Sequence, residues 1–171
     1  MGVAISQVKA LSDPIKAYQF KFEISPLPNL VGLSAKELSL RCTAASLPGS
    51  SIEQTKVNLG AHEINYPGQR KFNGNWTVSL IEGNKAQVLR VLTGWMDLCN
   101  NSETGLQSPT SLIKSTGIIS LFDNSGTVVF KRRLLGVWPT EMPDIQLDMS
   151  SSEAMKIDVT FSYDNFTDSG L

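Results

Sequence analysis

Seven consecutive residues, Tyr18-Gln-Phe-Lys-Phe-Glu-Ile24, alternate aromatic or aliphatic with polar side chains without a break. Met155 to Tyr163 does the same near the other end, with Met155, Ile157, Val159, Phe161 and Tyr163 on one side. A period of two sends successive side chains to opposite faces, so each run is a strand with one face on a core. Two such strands bracket the chain, and what lies between must complete their sheets.

Most of the intervening runs do so. Glu37 to Ala45 reads as a strand, with Leu38, Leu40, Cys42 and Ala44 on one face and Glu37, Ser39, Arg41 and Thr43 on the other. Ile52 to Leu59 resumes after the Leu47-Pro-Gly turn signal, and Ala61 to Tyr66 closes at Pro67-Gly68. Asn75 to Glu82 places Trp76, Val78 and Leu80 together. Ile118 to Phe122 and Thr127 to Leu135 form a hairpin around Asp123-Asn-Ser-Gly126, and Pro139 and Pro143 break the chain after it.

One segment has the helical period. From Lys85 to Cys99, Val88, Val91, Leu92, Trp95 and Cys99 recur at spacings of three and four, with Asn84 as N-cap and Asn100-Asn101 as stop. Val88, Leu92, Trp95 and Cys99 are the expected anchors of this helix on the core. Helices do not alternate with strands, so a parallel sheet is excluded. The fold class is mainly β, a sandwich or barrel with one flanking helix. At 171 residues the chain is one domain, with an ordered core from about residue 17 to 164 and the ends as arms or flexible segments. Ile52 to Leu59 and Thr127 to Arg133 are too poor in apolar residues for a monomer core. They suit a sheet continued into another copy.

Catalytic and metal chemistry find no foothold. His62 is the only histidine, which excludes a multi-histidine metal site, and no Gly-x-Ser-x-Gly elbow or Gly-rich phosphate loop accompanies it. Cys42 and Cys99 lie far apart and read as a buried, reduced pair. No cofactor is expected and no enzyme. The opening MGVAIS fits the loose acylation pattern, Gly2 with Ser6, but nothing nearby supports membrane anchoring, and no basic-then-apolar leader is visible. A net charge of −1 does not suit a dedicated nucleic-acid binder. The charge is uneven, however: Val137 to Leu171 carries seven acids and one lysine, so the remainder is net positive by five. The densest basic cluster is Lys131-Arg132-Arg133, of which Lys131 and Arg133 share a face.

The order of these signals resembles a known family. The alternating aromatic first strand is followed by Ala44-Ala-Ser-Leu-Pro-Gly49, then Tyr66-Pro-Gly-x-Arg-Lys-Phe72 leading into Trp76-Thr-Val-Ser-Leu80. The helix carrying Trp95 and a last strand ending Val159-Thr-Phe-Ser-Tyr-Asp164 complete the set. Together they are similar to the tail tube proteins of contractile-tailed bacteriophages and of related tailocin and injection-system tubes. The resemblance implies six subunits per ring, stacked rings, and a hollow tube whose inner wall is a continuous β-barrel. It implies a place in the virion tail after assembly in host cytoplasm, and passage of double-stranded DNA. Sheath, baseplate, tape-measure and tail terminator proteins would be the partners. The tube of an injection or secretion machine carrying protein cargo is the nearest alternative, and a β-sandwich carbohydrate- or receptor-binding module the alternative of another class.

On that resemblance, two hairpin-like pairs are expected to line the lumen: Glu37 to Ala45 with Ile52 to Leu59, and Ile118 to Phe122 with Thr127 to Leu135. The lumen candidates are Glu37, Ser39, Arg41, Thr43, Asp123, Lys131 and Arg133, with basic groups expected to be paired by acids. The stretch from Leu47 to Asn73 is expected to be loop-rich and to dock on a neighbour or the next ring. Glu53, Lys56, Glu63, Arg70, Lys71 and Phe72 would be its contacts.

Overall fold

The computed structural model describes residues 13–28 and 32–170; the Gly2 and Ser6 acylation pattern lies outside them. Among these residues nine strands run in chain order: β1 (Phe20–Ser25), β2 (Cys42–Ala45), β3 (Ser50–Leu59), β4 (His62–Phe72), β5 (Asn75–Ile81), β6 (Ser115–Phe122), β7 (Val128–Glu141), β8 (Lys156–Ser162) and β9 (Asn165–Gly170). Three helices accompany them among the described residues: α1 (Ala35–Leu40), α2 (Gln87–Cys99) and α3 (Thr110–Ile113).

Two antiparallel sheets share one strand. The first is ordered β1-β6-β7-β9 and the second β7-β8-β5-β2. Strand β7 gives its first part to one sheet and residues Trp138 to Glu141 to the other. It turns between them at Gly136, whose φ of +69° is open to glycine without strain. The inner faces meet in an aromatic core. Trp76 lies with ring centroids 5.2 Å from Phe22 and 5.7 Å from Phe161, and Trp95 lies 5.7 Å from Phe161. Gly117 leaves room for this packing, because a Cβ there would fall 2.5 Å from the Trp76 ring.

The alternating runs from Tyr18, Asn75 and Met155 form strands that bury most of their expected faces, with exceptions at the ends, where Met155 precedes β8 and is half-buried. Phe22 and Ile24 are buried, but Tyr18 lies outside β1 and is 71% exposed. Trp76, Val78 and Leu80 of β5 and Ile157, Val159 and Phe161 of β8 are buried, and so is Tyr163 beyond the end of β8.

Several expectations need correction. The run from Glu37 to Ala45 is not one strand: its first half is α1, and only Cys42–Ala45 is strand. Ser34 caps α1 reciprocally with Glu37, a capping box that outweighs the apolar alternation. Strand β2 pairs with β5, not with β3. Pro67-Gly68 does not end a strand, since β4 continues to Phe72 and absorbs the proline where the register shifts opposite Gln54. Pro139 does not break β7 either. It pairs with Phe161 on a stretch of β7 whose other side carries no strand among the described residues, where a missing N–H costs nothing. Regular structure also runs past Asp164, because β9 pairs with β7 from Asn165 to Gly170.

The long helix begins two residues later than expected, and Asn84 does not cap it. Ala86 holds the N-cap position without a side-chain bond. The Glu82 carboxylate instead accepts from the backbone N–H groups of Gly83, Val88 and Leu89 at 2.7, 3.1 and 2.7 Å. A carboxylate at this end also meets the positive pole of the helix dipole. Val88, Leu92 and Trp95 are fully buried on the core, as is Val91, while Cys99 is half-buried.

Candidate subunit interface

Among the described residues, strands β3 and β4 stand apart as a two-stranded arm paired only with each other. The stretch from Leu47 to Asn73 is therefore a regular hairpin rather than loop. Every residue from Ser50 to Lys71 is exposed. Ten residues at about 3.3 Å each give the arm a length of about 33 Å.

The arm has two unlike faces. Register pairs Thr55 with Tyr66, Val57 with Ile64 and Leu59 with His62, so these six side chains share one side. Leu59 is 57% exposed and Tyr66 48%. The opposite side is polar, and Lys56 reaches Glu63 across it at 2.8 Å. Nearer the body Lys71 is paired with Glu53. Four of the predicted interface residues thus pair with one another within the arm. The apolar side was missed in the sequence because it is made by register across two strands, each sparse alone.

The arm joins the body at a cation-aromatic cluster. Phe72 packs edge-to-face on Phe166 of β9, with centroids 5.0 Å apart. The Arg132 guanidinium lies 4.0 Å from the Phe166 ring centroid and 5.2 Å from that of Phe130. It donates to both oxygens of Asp168 at 2.6 and 2.7 Å, and to the Pro48 carbonyl. Asp168 is held below the usual carboxylate range, first by that hydrogen bond and then by the charges of Arg132 and Arg70.

The first sheet presents a polar outer face. Register puts Lys21 and Glu23 of β1, Lys131 and Arg133 of β7, and Thr167 and Ser169 of β9 on it. Lys21 and Glu23 pair at 2.8 Å. Lys131 and Arg133 have no acidic partner among the described residues; Arg132, pointing inward, has one. Among the described residues the two outer strands, β1 and β9, each have one unpaired edge. Beside β1 the sandwich opens into an apolar groove of about 880 Å³ lined by Tyr18, Phe20, Leu40, Cys42 and Phe122.

The other lumen candidates lie elsewhere. Glu37 is spent on capping α1, and Ser39 donates to the Phe22 carbonyl behind β1. Arg41 ends α1 with its guanidinium against Gly83, and Thr43 donates to the Ser79 carbonyl at 3.2 Å. Asp123 organises the β6–β7 turn by accepting from the N–H groups of Ser125 and Thr127. Only Lys131 and Arg133 of that set come together on one face.

Burial pushes the Cys42 thiol up to about 11 and raises Cys99 as well, which disfavours the thiolate of each. Among the described residues no three His, Cys, Asp or Glu side chains are grouped to hold a metal, and no helix is long and apolar enough to cross a membrane.

The sequence profile of the family described as "Phage tail tube protein" matches residues 15–169. The tail tube protein gp19 of Enterobacteria phage T4 is 27% identical over 149 residues, covering 85% of this chain and 86% of that protein. Two solved structures share the fold. One is a PVC sheath-tube complex of an extracellular contractile injection system in the extended state, with TM-score 0.66 and 18% identity over 99% of this chain and 100% of that one. The other is the tube-terminating cap of the anti-feeding prophage, with TM-score 0.68 and 21% identity over 95% of each chain.

Proposed function

The chain belongs to the phage tail tube protein family, and from that premise we propose that its copies close into hexameric rings and stack into a hollow tube. The cargo of the tube is double-stranded DNA, and a contractile sheath surrounds it. Baseplate, tape-measure and terminator proteins complete the tail. The arm carries this reading. An amphipathic hairpin with Val57, Leu59, Ile64 and Tyr66 bare on one side has nothing to cover it among the described residues of one copy, and a two-stranded hairpin alone is marginal in water. Docked on the next ring, it buries that side. Ring closure uses the free edges of β1 and β9, so that the first sheet continues from copy to copy and the groove beside β1 is covered.

Negative-stain electron microscopy of the purified chain over a concentration series tests both parts. The parent should give rings or tubes, and Ile64→Asp should remain a folded subunit that gives neither. A parent that stays monomeric throughout overturns the tube; tubes from Ile64→Asp overturn the role of the arm.

A second reading, protein cargo, is favoured by Lys131 and Arg133. In a six-fold wall each cation recurs six times, and unpaired rings of charge retain phosphate rather than let it slide. Acids of a neighbouring copy would cancel them and restore DNA as the cargo. A salt-sensitive retention of duplex DNA by assembled tubes, abolished by Lys131→Gln with Arg133→Gln, supports protein cargo; no retention supports DNA.

A further inference from the structure

The arm is attached by two roots, and both end in one cluster. The incoming root follows β2. Its Ser46 carbonyl accepts from the Trp76 indole N–H at 3.0 Å, and its Pro48 carbonyl accepts from Arg132. The outgoing root leaves through Phe72, which packs on Phe166. Arg132 and Phe166 are themselves stacked, and the Arg132 side chain is only 14% exposed. One guanidinium therefore ties the incoming root to the last strand, whose Phe166 in turn holds the outgoing root.

We infer that Arg132 is a positioning residue: with Asp168 and Phe166 of β9 it clamps both roots and sets the angle at which the arm leaves the body. A lever about 33 Å long amplifies whatever happens at its base, since about 10° of rotation there moves the tip about 6 Å. That exceeds the width of one strand spacing, about 4.8 Å, so a loose root misplaces the apolar side of the arm against its target. The guanidinium suits the role. Its planar fork bonds the carboxylate with two parallel N–H groups while its face lies on the Phe166 ring, and a third donor reaches Pro48. Lysine keeps the charge but not this geometry. Strand β9 becomes the part of the chain that readies the subunit for docking, because without it Arg132 loses both the carboxylate and the ring.

The clamp stands on the geometry of one subunit; only its consequence for ring docking rests on the tube reading. Spin labels at Asn58 near the tip and Asp97 on α2, in the full chain with Cys42→Ser and Cys99→Ser, report the arm angle by pulsed electron paramagnetic resonance below the assembly concentration. The parent should give one narrow distance distribution. Arg132→Lys should broaden it at least twofold, with Asp168→Asn between the two, while near-ultraviolet circular dichroism of the tryptophan core stays unchanged. If Arg132→Lys fails to fold, Phe72→Leu takes its place, since it loosens the outgoing root and leaves the ion pair intact. A distribution as narrow as the parent's in the folded variant overturns the clamp. In assembly, each variant that broadens the angle should need roughly tenfold more protein to form tubes, a shift set against the ~1.4 kcal/mol that a tenfold change represents. Tubes at the parent's concentration from a broadened variant overturn the positioning role. A parent that forms no tubes contradicts the assembly reading and leaves the distance result decisive for the clamp.

Discussion

Glu82 shows how much one side chain can organise here. It sits at the end of β5, before the first turn of α2, and its carboxylate takes up the backbone N–H groups of Val88 and Leu89, which the helix end leaves without carbonyl partners, together with that of Gly83. Trp95 then fixes the other end of the stripe, fully buried, stacked near Phe161 and donating its indole N–H to the Ile113 carbonyl at 2.9 Å. Trp95→Ala should cost about 3–5 kcal/mol in urea unfolding, the cost of an emptied aromatic site. Gly136→Ala should also destabilise, by about 1–2 kcal/mol from the left-handed φ alone, with more from the Asp164 carboxylate a Cβ would strike. That carboxylate is the partner of Lys114 at 2.7 Å, so the loss should shrink in Asp164→Ala, which a double-mutant cycle reads directly.

Four carboxyls make stability depend on acid. Ser34 holds Glu37 below its ordinary value, Ser125 and Thr127 do so for Asp123, Ser150 for Asp148 and Arg132 for Asp168. Each folded-state pKa is depressed, so the stability these groups contribute is complete above their unfolded values, about 4, and is lost as pH falls through the folded ones. Unfolding free energy should be flat from pH 7 to about 5 and fall below about pH 4, and Asp168→Asn should remove part of that fall.

At the scale of elements, the arm and the body should behave differently. Strands β5 and β8 are buried on one face and should hold their amide protons in the free subunit, whereas β3 and β4 should exchange fast there and slowly in tubes. Equal protection of the arm in both states would contradict its docking. Reversing Arg70 and Lys71 to glutamate should leave the body folded and stop polymerisation. It breaks the Lys71 pair with Glu53 and puts a negative charge near Asp168.

The same division explains what could be read from the residues. Strands β1, β5 and β8 were legible because one face is packed on the core, and burial writes a period of two into the sequence. Strand β9, Asn-Phe-Thr-Asp-Ser-Gly, carries no such period; its place comes from register with β7 and from the Arg132–Asp168 pair. Helix α1 was misread because Leu38 and Leu40 alternate over a run too short to distinguish two periods, and only Leu38 is buried. Pro67-Gly68 announced a local backbone irregularity correctly but not its kind, since a bulge and a turn draw on the same residues. The basic cluster divides the same way: its strand alternation was visible, but the inward partner of Arg132 depended on a strand that was not.

The whole molecule is a sandwich that leaves three surfaces uncovered in one copy: the apolar side of the arm, the free edges of the first sheet, and the groove beside β1. All three are what a stacked ring of identical copies would cover, and that is the central claim. Cryo-electron microscopy of assembled tubes tests it most directly. The expected result is six copies per ring, β1 of each beside β9 of the next, and Val57, Ile64 and Tyr66 buried against the adjacent ring. A wall of another symmetry, or one in which those three side chains remain in solvent, would contradict it.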